Sequence, residues 1–537
     1  MKTLSNSLAI LFILLSTSVH AQITKMWDFR YGSTGDETSQ GFLKTLDDGF
    51  LIYGTSPSNS GYEKSENSRG MDDFWIVKTD GAGNVTWDRT YGGALRDNLL
   101  SAIQLPDSGY ILAGQSESGI GGEKSEANRD STLSTFDLWI IRIDKNGNIV
   151  WDKTIGGSGT DYAYHVMISS SNRIVIAGDT YSHGSYEFTG PNYGAADYWI
   201  VVLDMQGNLV WEKNFGGSNL DWQVTSVIET SDGSFLVGGE SVSQPVGNKT
   251  ATGCGTNWDI WCVKMDSSGN IIWDKSYGGD NIEDFRSLTL SGNKIYLSGA
   301  SQSPISCNKT LQNHGMINTT DFWLLTIDEN GDILSENVYG GDNNENGMTS
   351  FSLTQKGYLM CGTSYSNASG DKTEDNVGHI RQGWALEVDS SGNVLWDNTI
   401  ETVFGLGYLR GMEDSDGCFV FLSRGNDAGG DLSQNRSTGF DYWLVKFCDP
   451  TIARVNDPSM NAMDIFMKGR SIEGRCNSDG PVNIQILNLN GQVVFERMAE
   501  IHAGTFAFEV SAYLASGVYV LRGEFESGII TKKVIIN

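Results

Sequence analysis

Proline and basic residues are scarce in this sequence of 537 residues, and its long apolar run is confined to the start. Only 8 prolines occur, and 37 Lys and Arg stand against 66 Asp and Glu, which gives a formal net charge of −29. Binding to nucleic acid or to anionic lipid requires a basic surface. The charge balance therefore excludes both kinds of partner.

Motifs of enzymes and metal sites are also missing. The sequence has no Gly-x-Ser-x-Gly, His-Glu-x-x-His, P-loop or Cys-x-x-Cys pattern. Its histidines are few, and His165, His183, His314 and His379 lie far apart without the spacing of a metal site. Acid-rich loops still offer oxygen ligands, so Ca²⁺ at one or two points stays an open alternative.

The first 21 residues have the pattern of a secretory signal peptide. Lys2 precedes an apolar run at residues 8–15, and Val19-His20-Ala21 forms a small-residue cleavage site. The run is too short to span about 30 Å of hydrocarbon, and no later segment resembles a membrane span. We expect residues 1–21 to be removed and the mature protein to be exported.

An internal period of about sixty residues dominates the rest of the sequence. Tryptophan recurs in apolar runs at positions 75, 139, 199, 261, 323, 384 and 443, and a second series follows at 87, 151, 211, 273 and 396. An Asp-x-x-Gly-Asn turn separates the two series, and Gly-Gly follows the second. A period of this length is typical of propellers and solenoids.

Each repeat contains four short runs of β-branched or aromatic residues separated by turn residues, which predicts four strands. Seven such units over residues 22–448 predict a seven-bladed β-propeller, with an open solenoid as the alternative. Residues 27–32 (WDFRYG) match the outermost strand of a unit, whereas the seventh unit ends without that strand at Cys448. We therefore expect the N-terminal strand to complete the last blade and close the ring.

The loops between the second and third strands are long and share one face of this propeller. They comprise residues 56–71, 115–135, 180–195, 241–257, 301–319, 364–381 and 424–439. Long loops on a rigid scaffold commonly carry function. This face is the predicted binding face.

Three repeated polar motifs each admit a structural interpretation and a functional one. The Asp-x-x-Gly-Asn turn is predicted to be a hairpin turn and not a Ca²⁺ loop, because its third position lacks a repeated ligand. Aspartates after the Gly-Gly links are predicted to hold loops; they are Asp36, Asp97, Asp161, Asp221 and Asp284. Five loop lysines either fix their own loops or form a ring that binds an anionic glycan; they are Lys64, Lys124, Lys249, Lys309 and Lys372.

Seven cysteines form neither a paired disulfide framework nor a zinc site. Cys262, Cys361 and Cys418 lie in apolar runs and are expected to be small core residues. Cys254 and Cys307 occupy equivalent loops of neighbouring repeats, which leaves a disulfide between them open.

The tryptophan period stops at Trp443, and the composition changes after a predicted linker at residues 449–463. Residues 464–537 alternate like a small antiparallel, Ig-like β-sandwich. Three ordered stretches resemble the type A C-terminal sorting domain of type IX secretion cargo in Bacteroidota: NLNGQVV with Gly491, LASGVYVL with Gly517 and Tyr519, and KKVII with Lys532 and Lys533.

The resemblance implies that the type IX secretion machinery carries the protein across the outer membrane. A location at the cell surface or in the medium, with cleavage of the sorting domain, would follow. It does not indicate what the propeller does. We favour a non-catalytic module that binds an extracellular glycan or protein through the long loops. The alternatives are a glycan-active hydrolase or lyase at the mouth of the central channel, and a structural surface component.

Overall fold

The computed structural model describes residues 23–436 and 439–449, and the strands of the C-terminal region at 464–468, 471–475, 480–487, 493–501, 505–509, 517–525 and 528–536. Two compact units divide the chain, Met1–Phe447 and Cys448–Asn537. The predicted signal peptide (1–21) and nearly all of the predicted linker (450–463) lie outside the described residues.

The first unit is built of short strands. Its first fourteen strands are β1 (Thr24–Tyr31), β2 (Thr38–Lys44), β3 (Phe50–Ser56), β4 (Asp73–Thr79), β5 (Val85–Tyr91), β6 (Asp97–Gln104), β7 (Tyr110–Ser116), β8 (Asp137–Ile143), β9 (Ile149–Ile155), β10 (Asp161–Ile168), β11 (Ile174–Thr180), β12 (Asp197–Leu203), β13 (Leu209–Phe215) and β14 (Asp221–Glu229).

The next fourteen strands follow the same pattern, with one 3₁₀ turn at Val377–His379. They are β15 (Phe235–Ser241), β16 (Asp259–Met265), β17 (Ile271–Tyr277), β18 (Glu283–Ser291), β19 (Lys294–Ser301), β20 (Asp321–Ile327), β21 (Ile333–Tyr339), β22 (Glu345–Leu353), β23 (Gly357–Ser364), β24 (Gln382–Asp389), β25 (Val394–Ile400), β26 (Arg410–Glu413), β27 (Phe419–Gly425) and β28 (Asp441–Cys448).

These strands form seven four-stranded sheets within the described residues. Six sheets use consecutive strands, from β2–β5 (the first sheet) to β22–β25 (the sixth sheet). The seventh sheet has the order β1-β28-β27-β26, so the N-terminal strand completes it as the sequence predicted. Repeated four-stranded sheets whose first strands contact one another in succession define a β-propeller.

Aromatic contacts join several sheets to their neighbours. Phe74 of the first sheet packs on Trp139 of the second, with ring centroids 4.8 Å apart. Tyr442 of the seventh sheet packs on Trp75 of the first at 4.7 Å, and its hydroxyl donates to the carbonyl of Trp75. The same kind of contact therefore closes the ring between residues far apart in the chain.

A hydrogen bond to a carboxylate fixes every third-strand tryptophan. These seven indoles are at most 1% exposed, and each Nε1–H donates over 2.8–3.1 Å to a carboxylate of the outermost strand. The pairs are Trp75–Asp88, Trp139–Asp152, Trp199–Glu212, Trp261–Asp274, Trp323–Glu336, Trp384–Asp397 and Trp443–Asp28. In the seventh sheet the acceptor belongs to β1, so this bond also closes the ring.

The Asp-x-x-Gly-Asn turns are structural, as predicted. In the first, Asp80 Oδ1 accepts from the backbone N–H of Ala82 and Asn84, while Asn84 Nδ2 donates to Asp80 Oδ2 over 3.0 Å. Gly83 adopts a φ of +88°, a conformation that favours glycine. The turns also support neighbouring sheets, because Trp151 Nε1 donates to the carbonyl of Met205 in the next turn.

The second unit contains seven further strands in two antiparallel sheets. They are β29 (Asp464–Lys468), β30 (Ser471–Arg475), β31 (Gly480–Leu487), β32 (Val493–Ile501), β33 (Thr505–Glu509), β34 (Gly517–Phe525) and β35 (Gly528–Ile536), in the orders β29-β30-β33 and β32-β31-β34-β35. Of the predicted sorting residues, Gly517 and Tyr519 lie on β34 and pair with β35, which holds Lys532 and Lys533. Gly491 lies outside the described residues.

The cysteines require one correction. A disulfide joins Cys254 and Cys307, so the alternative left open by the sequence is resolved. Cys262 and Cys361 are buried free thiols, as expected. Cys418 is disulfide-bonded and is not the free core residue that its apolar run suggested; Cys448 is disulfide-bonded as well.

We predict that Asp28→Ala weakens the closure of the ring. The change removes the acceptor of the Trp443 indole and of the Ser433 backbone N–H, which should lower the free energy of unfolding by about 1–3 kcal/mol. Asp88→Ala is the matched control, because it breaks the equivalent bonds inside a single sheet. Denaturant unfolding should show similar losses for both variants, whereas limited proteolysis should release β1 only from Asp28→Ala. Wild-type behaviour of Asp28→Ala in both assays would contradict this account.

Candidate functional site

The second–third loops all leave the same face of the propeller, here called the loop face. Each begins where a second strand ends and returns at the paired start of a third strand, as in the register Ser56↔Asp73. Carboxylates on the outermost strands anchor these loops through backbone N–H groups; for example, Ser65 N donates to Asp88 Oδ2 and Ser125 N to Asp152 Oδ2, both over 2.9 Å. The loops are therefore held by the same carboxylates that hold the tryptophans.

The proposed ring of ligand-binding lysines needs correction. Lys64, Lys124, Lys249, Lys309 and Lys372 are only 1–3% exposed, and their ammonium groups donate to hydroxyls or loop carbonyls. Four of these ammonium groups lie 4.2–5.8 Å from the ring centroid of a third-strand tryptophan. The lysines fix their own loops and are not presented to a ligand.

Two loops show that the lysine position does not require a charge. Isolated bridges place Lys64 and Lys124 at the same loop position as Phe188 and Leu432. Phe188 packs edge-to-face on Trp199 at 5.8 Å, where the other loops place a lysine. Covering the indole is thus the shared role, and burial lowers the pKa of Lys64 and Lys124 to about 8.

We predict that Lys124→Leu keeps the free energy of unfolding within about 1 kcal/mol of the wild type, because leucine fills this position in the seventh loop. Lys124→Ala should cost about 2 kcal/mol or more, because it leaves a void over Trp139. Denaturant titration measures both. A larger loss for Lys124→Leu than for Lys124→Ala would show that the charge itself is needed.

Six of the seven sheet junctions bury two facing carboxyl groups. One comes from the start of a third strand and the other from the first strand of the next sheet: Asp441–Glu37, Asp73–Asp97, Asp137–Asp161, Asp197–Asp221, Asp259–Glu283 and Asp321–Glu345. Every member is at most 2% exposed. The first-strand acid accepts a backbone N–H of the preceding link, as Asp97 does from Gly93 over 2.6 Å.

This arrangement confirms the loop-holding role of Asp97, Asp161 and Asp221. Asp36 also holds a loop, because it accepts the backbone N–H of Phe440 over 2.8 Å at the end of the seventh long loop. The position of Asp284 needs correction, because its carboxyl bonds to Glu240 and Arg286 instead. In the first and fifth sheets the acceptors are Glu37 and Glu283, one residue away from the predicted Asp36 and Asp284. The Gly-Gly links leave room for the side chains of these acids. A Cβ at Gly156 would lie 2.1 Å from Asp137 Oδ1, so no larger residue fits there.

Burial raises the pKa of at least one acid in each pair. The pKa rises to about 6 for Asp97, Asp137 and Asp259, and to about 7 for Asp161 and Glu283, in each case mainly because burial disfavours the charged form. Several facing oxygens have no donor among the described residues, including one on Asp97 and one on Asp137. In three pairs the two carboxyl groups hydrogen-bond to each other, which requires a proton on one of them; these pairs are Asp441–Glu37, Asp259–Glu283 and Asp321–Glu345.

We predict that the propeller is more stable at pH 5 than at pH 8. A raised pKa means that the folded state binds more protons than the unfolded chain between about pH 4 and pH 7, so stability falls as the pH rises through this window. Thermal unfolding from pH 4.5 to 8 measures the trend. Asp137→Asn should flatten the slope, because its amide can donate permanently to Asp161; Gln382 occupies this position in the sixth sheet. A melting temperature that rises with pH would contradict the assignment.

A central channel opens on the loop face. A cavity of about 320 Å³ takes at least one side chain from every innermost strand: Gln40, Ser101, His165, Thr225, Arg286, Thr349 and Arg410. Hydrogen bonds connect these strands; His165 Nδ1, for example, accepts the backbone N–H of Val227 over 3.3 Å. Burial lowers the pKa of His165 to about 4, so this histidine is a neutral structural acceptor.

Aromatic side chains gather beside the channel in the third and fourth sheets. Tyr164 lines the channel and stacks on Tyr162, with centroids 5.7 Å apart, and Tyr162 also contacts Phe136 and Tyr181 at 6.3 Å. On the fourth sheet, Trp222 stacks on Trp258 at 5.1 Å. All six are partly exposed. We call them the aromatic patch: Phe136, Tyr162, Tyr164, Tyr181, Trp222 and Trp258.

The aromatic patch breaks the repeat, and this was the signal that sequence reasoning missed. Tyr162 and Trp222 stand at an inner-strand position that is Thr38, Asn98, Asp284 or Asn346 in other sheets. Their partners across the sheet are the acids Asp179 and Glu240. Comparing equivalent positions would have revealed both departures.

The acids beside the aromatic patch are held within the protein. Asp179 is fully buried and accepts the backbone N–H of Gln223 over 3.1 Å, and burial raises its pKa well above the usual value. Glu240 accepts the backbone N–H of Phe285 and bonds to the Asp284 carboxyl, and burial and Asp284 both raise its pKa. Arg286 donates to Asp284 over 2.6 Å.

No group of three or more His, Cys, Asp or Glu suited to a metal ion occurs in the part of the chain that the structure describes. The open alternative of a Ca²⁺ site therefore finds no supporting cluster there. Exposed apolar side chains instead rise from five loops around the rim of the loop face; these are Tyr62, Ile120, Tyr186, Val246 and Ile305, each more than half exposed.

Comparison with known families identifies the C-terminal unit. Residues 460–537 match the family described as the secretion system C-terminal sorting domain. The chain is a type IX secretion cargo. Its sorting domain indicates a secreted or cell-surface location, and no helix among the described residues is long and apolar enough to cross a membrane. No curated protein matches the sequence significantly.

Several solved structures resemble the cargo at low identity. Hydrazine synthase from Kuenenia stuttgartiensis is 10% identical with a TM-score of 0.42, covering 74% of this chain and 94% of its own. The Pan2 WD40 domain of Neurospora crassa is 10% identical with a TM-score of 0.42, covering 79% and 96%. Trypanosoma rangeli sialidase is 9% identical with a TM-score of 0.34, covering 84% and 86%.

Proposed function

We propose that this cargo is a seven-bladed β-propeller that binds an extracellular glycan or protein without catalysis, through the aromatic patch at the channel mouth. The signal peptide of residues 1–21 would direct export, the propeller of residues 22–448 would bind, and residues 464–537 would be used for sorting. The observation that carries the proposal is that partly exposed aromatic residues of the neighbouring third and fourth sheets stand where the first, second, fifth and sixth sheets have polar residues.

The rigidity of the loop face supports a binding function. Its lysines and many of its carboxylates are engaged within the sheets, so the loops present mainly apolar and aromatic side chains around a fixed channel. Tyrosine and tryptophan offer large contact areas with little loss of conformational freedom. Flat aromatic faces beside hydrogen-bonding groups suit the apolar face of a sugar ring, which makes a glycan the better match.

The acids near the channel argue against a glycosidase. A hydrolytic pair keeps its carboxyl groups about 5–9.5 Å apart on either side of the bond to be cleaved. Glu240 and Asp284 instead bond directly to each other, and Asp179 is inaccessible. Neither arrangement leaves room for a sugar between two carboxyl groups, so binding is favoured over turnover.

We predict that Tyr162→Ala and Trp222→Ala each weaken ligand binding at least tenfold, because each removes an aromatic contact surface. A glycan array of the mature chain, run with and without EDTA, selects the ligand, and calorimetry measures its affinity for each variant. Asn98→Ala changes the equivalent position of the second sheet and should bind like the wild type.

The same samples test the alternatives. Binding that persists in EDTA would agree with the lack of a metal cluster in the described sheets. Release of reducing ends from a polysaccharide panel would overturn the non-catalytic proposal. Equal affinities for Tyr162→Ala and the wild type would place the ligand elsewhere.

A further inference from the structure

A second cavity on the loop face lies between the sixth and seventh sheets and shares no residue with the aromatic patch. Its volume is about 390 Å³, and its lining includes Tyr365, Arg381, Phe404, Arg424 and Phe440. Phe404 is 60% and Tyr365 40% exposed. This volume is enough for one or two sugar rings.

Two arginines converge in this cavity. A Cβ built on Gly407 would lie 3.5 Å from a terminal nitrogen of Arg424 and 3.7 Å from one of Arg381. The guanidinium of Arg424 lies 4.6 Å from the ring centroid of Phe440, and that of Arg381 lies 5.9 Å from the ring of Tyr365. Both planar groups are thus held by aromatic rings around one point.

Neither arginine has a carboxylate partner among the described residues, in contrast with other arginines of this face. Arg69 donates to Glu123, Arg129 to Glu187 and Arg436 to Glu63, each through two or more bonds of 2.6–3.1 Å. Those pairs link one loop to the next. Arg381 and Arg424 keep their hydrogen-bonding capacity for a group from outside.

The local charge differs at this junction as well. Among the seven junctions described above, this is the one without a facing pair of carboxyl groups. Gln382 stands in place of the aspartate, and its side-chain amide hydrogen-bonds to the backbone of Thr402 instead. In a chain with a net charge of −29, two arginines without a carboxylate partner among the described residues create a local positive site.

We propose that this cavity binds the carboxylate of an acidic saccharide, a uronate-type sugar. Two guanidinium groups can receive the two oxygens of a planar carboxylate, and exposed Phe404 offers an apolar face for the sugar ring. The strongly acidic protein disfavours densely charged polyanions, so a ligand with one charge per sugar fits better than a sulfated or phosphorylated one. The inference is independent of the aromatic patch.

Calorimetry of the mature full-length chain with tetragalacturonate, and with a neutral tetrasaccharide as the comparison, tests this proposal. The acidic oligosaccharide should bind at least tenfold more tightly and lose affinity as salt is raised. Arg424→Gln and Arg381→Gln should each weaken its binding about tenfold or more, because each removes a charge-assisted contact. Arg96→Gln is the matched control, since this exposed arginine lies on another link of the same face.

Gly407→Asp keeps both arginines and supplies an internal carboxylate between them. A Cβ at Gly407 meets only the flexible ends of the two arginines, so this variant should melt like the wild type and no longer bind tetragalacturonate. Tyr162→Ala should bind it normally, which separates failure of this site from failure of the aromatic patch. Equal affinity for neutral and acidic sugars, unchanged binding by the arginine variants, or preference for a sulfated oligosaccharide or an acidic peptide would overturn the proposal.

Discussion

A hydrogen bond from a buried indole to a carboxylate one strand further out is the contact on which the propeller depends. Burying a carboxylate is costly unless donors surround it. Asp88, for example, receives the indole N–H of Trp75 and the backbone N–H of Ser65. One side chain thus fixes the third strand, the fourth strand and the middle of the long loop. The lysine that follows the loop turn then covers the indole.

Because this unit recurs in every sheet, the loop face is rigid although its loops are long. It also explains how the ring closes. Asp28 lies on the N-terminal strand and accepts hydrogen bonds from the Trp443 indole and the Ser433 backbone, as Asp88 does from the equivalent groups of the first sheet. Closure therefore requires no special device beyond the contact that each sheet already uses, and it leaves no open sheet edge at the join.

The acidic composition is partly internal. The carboxyl pairs at six junctions are buried, and the raised pKa of at least one acid in each pair means that part of the formal charge is neutralised near neutral pH. Gly-Gly links make room for the pairs at five of these junctions and hold ten of the 65 glycines. Part of the negative charge therefore holds one sheet to the next and does not solvate the exterior.

The sequence was sufficient to predict the four-stranded sheets and the ring closure, because tryptophan spacing and the match of Trp27–Gly32 to an outer strand are local signals. It was misleading for the lysines, since a repeated Lys-Ser/Thr pair looks the same whether its ammonium group is buried or exposed. Glu37 and Glu283 could have been found, because every accepting acid follows the first glycine of its link by the same spacing. The convergence of Arg381 and Arg424 could not, since three separate segments create it.

Function in a repeat protein is expected where the repeat fails, because residues that serve the fold must recur in every sheet. By this criterion Trp75 belongs to the scaffold, while Tyr162 and Trp222 do not. Gln382 is a second departure from the repeat, because the other sheets have an aspartate at this position. Replacing an aspartate there removes a buried charge that six other junctions retain, and the arginines beside it remain unpaired. The two departures on this face, one aromatic and one cationic, therefore mark two separate places where a ligand can bind.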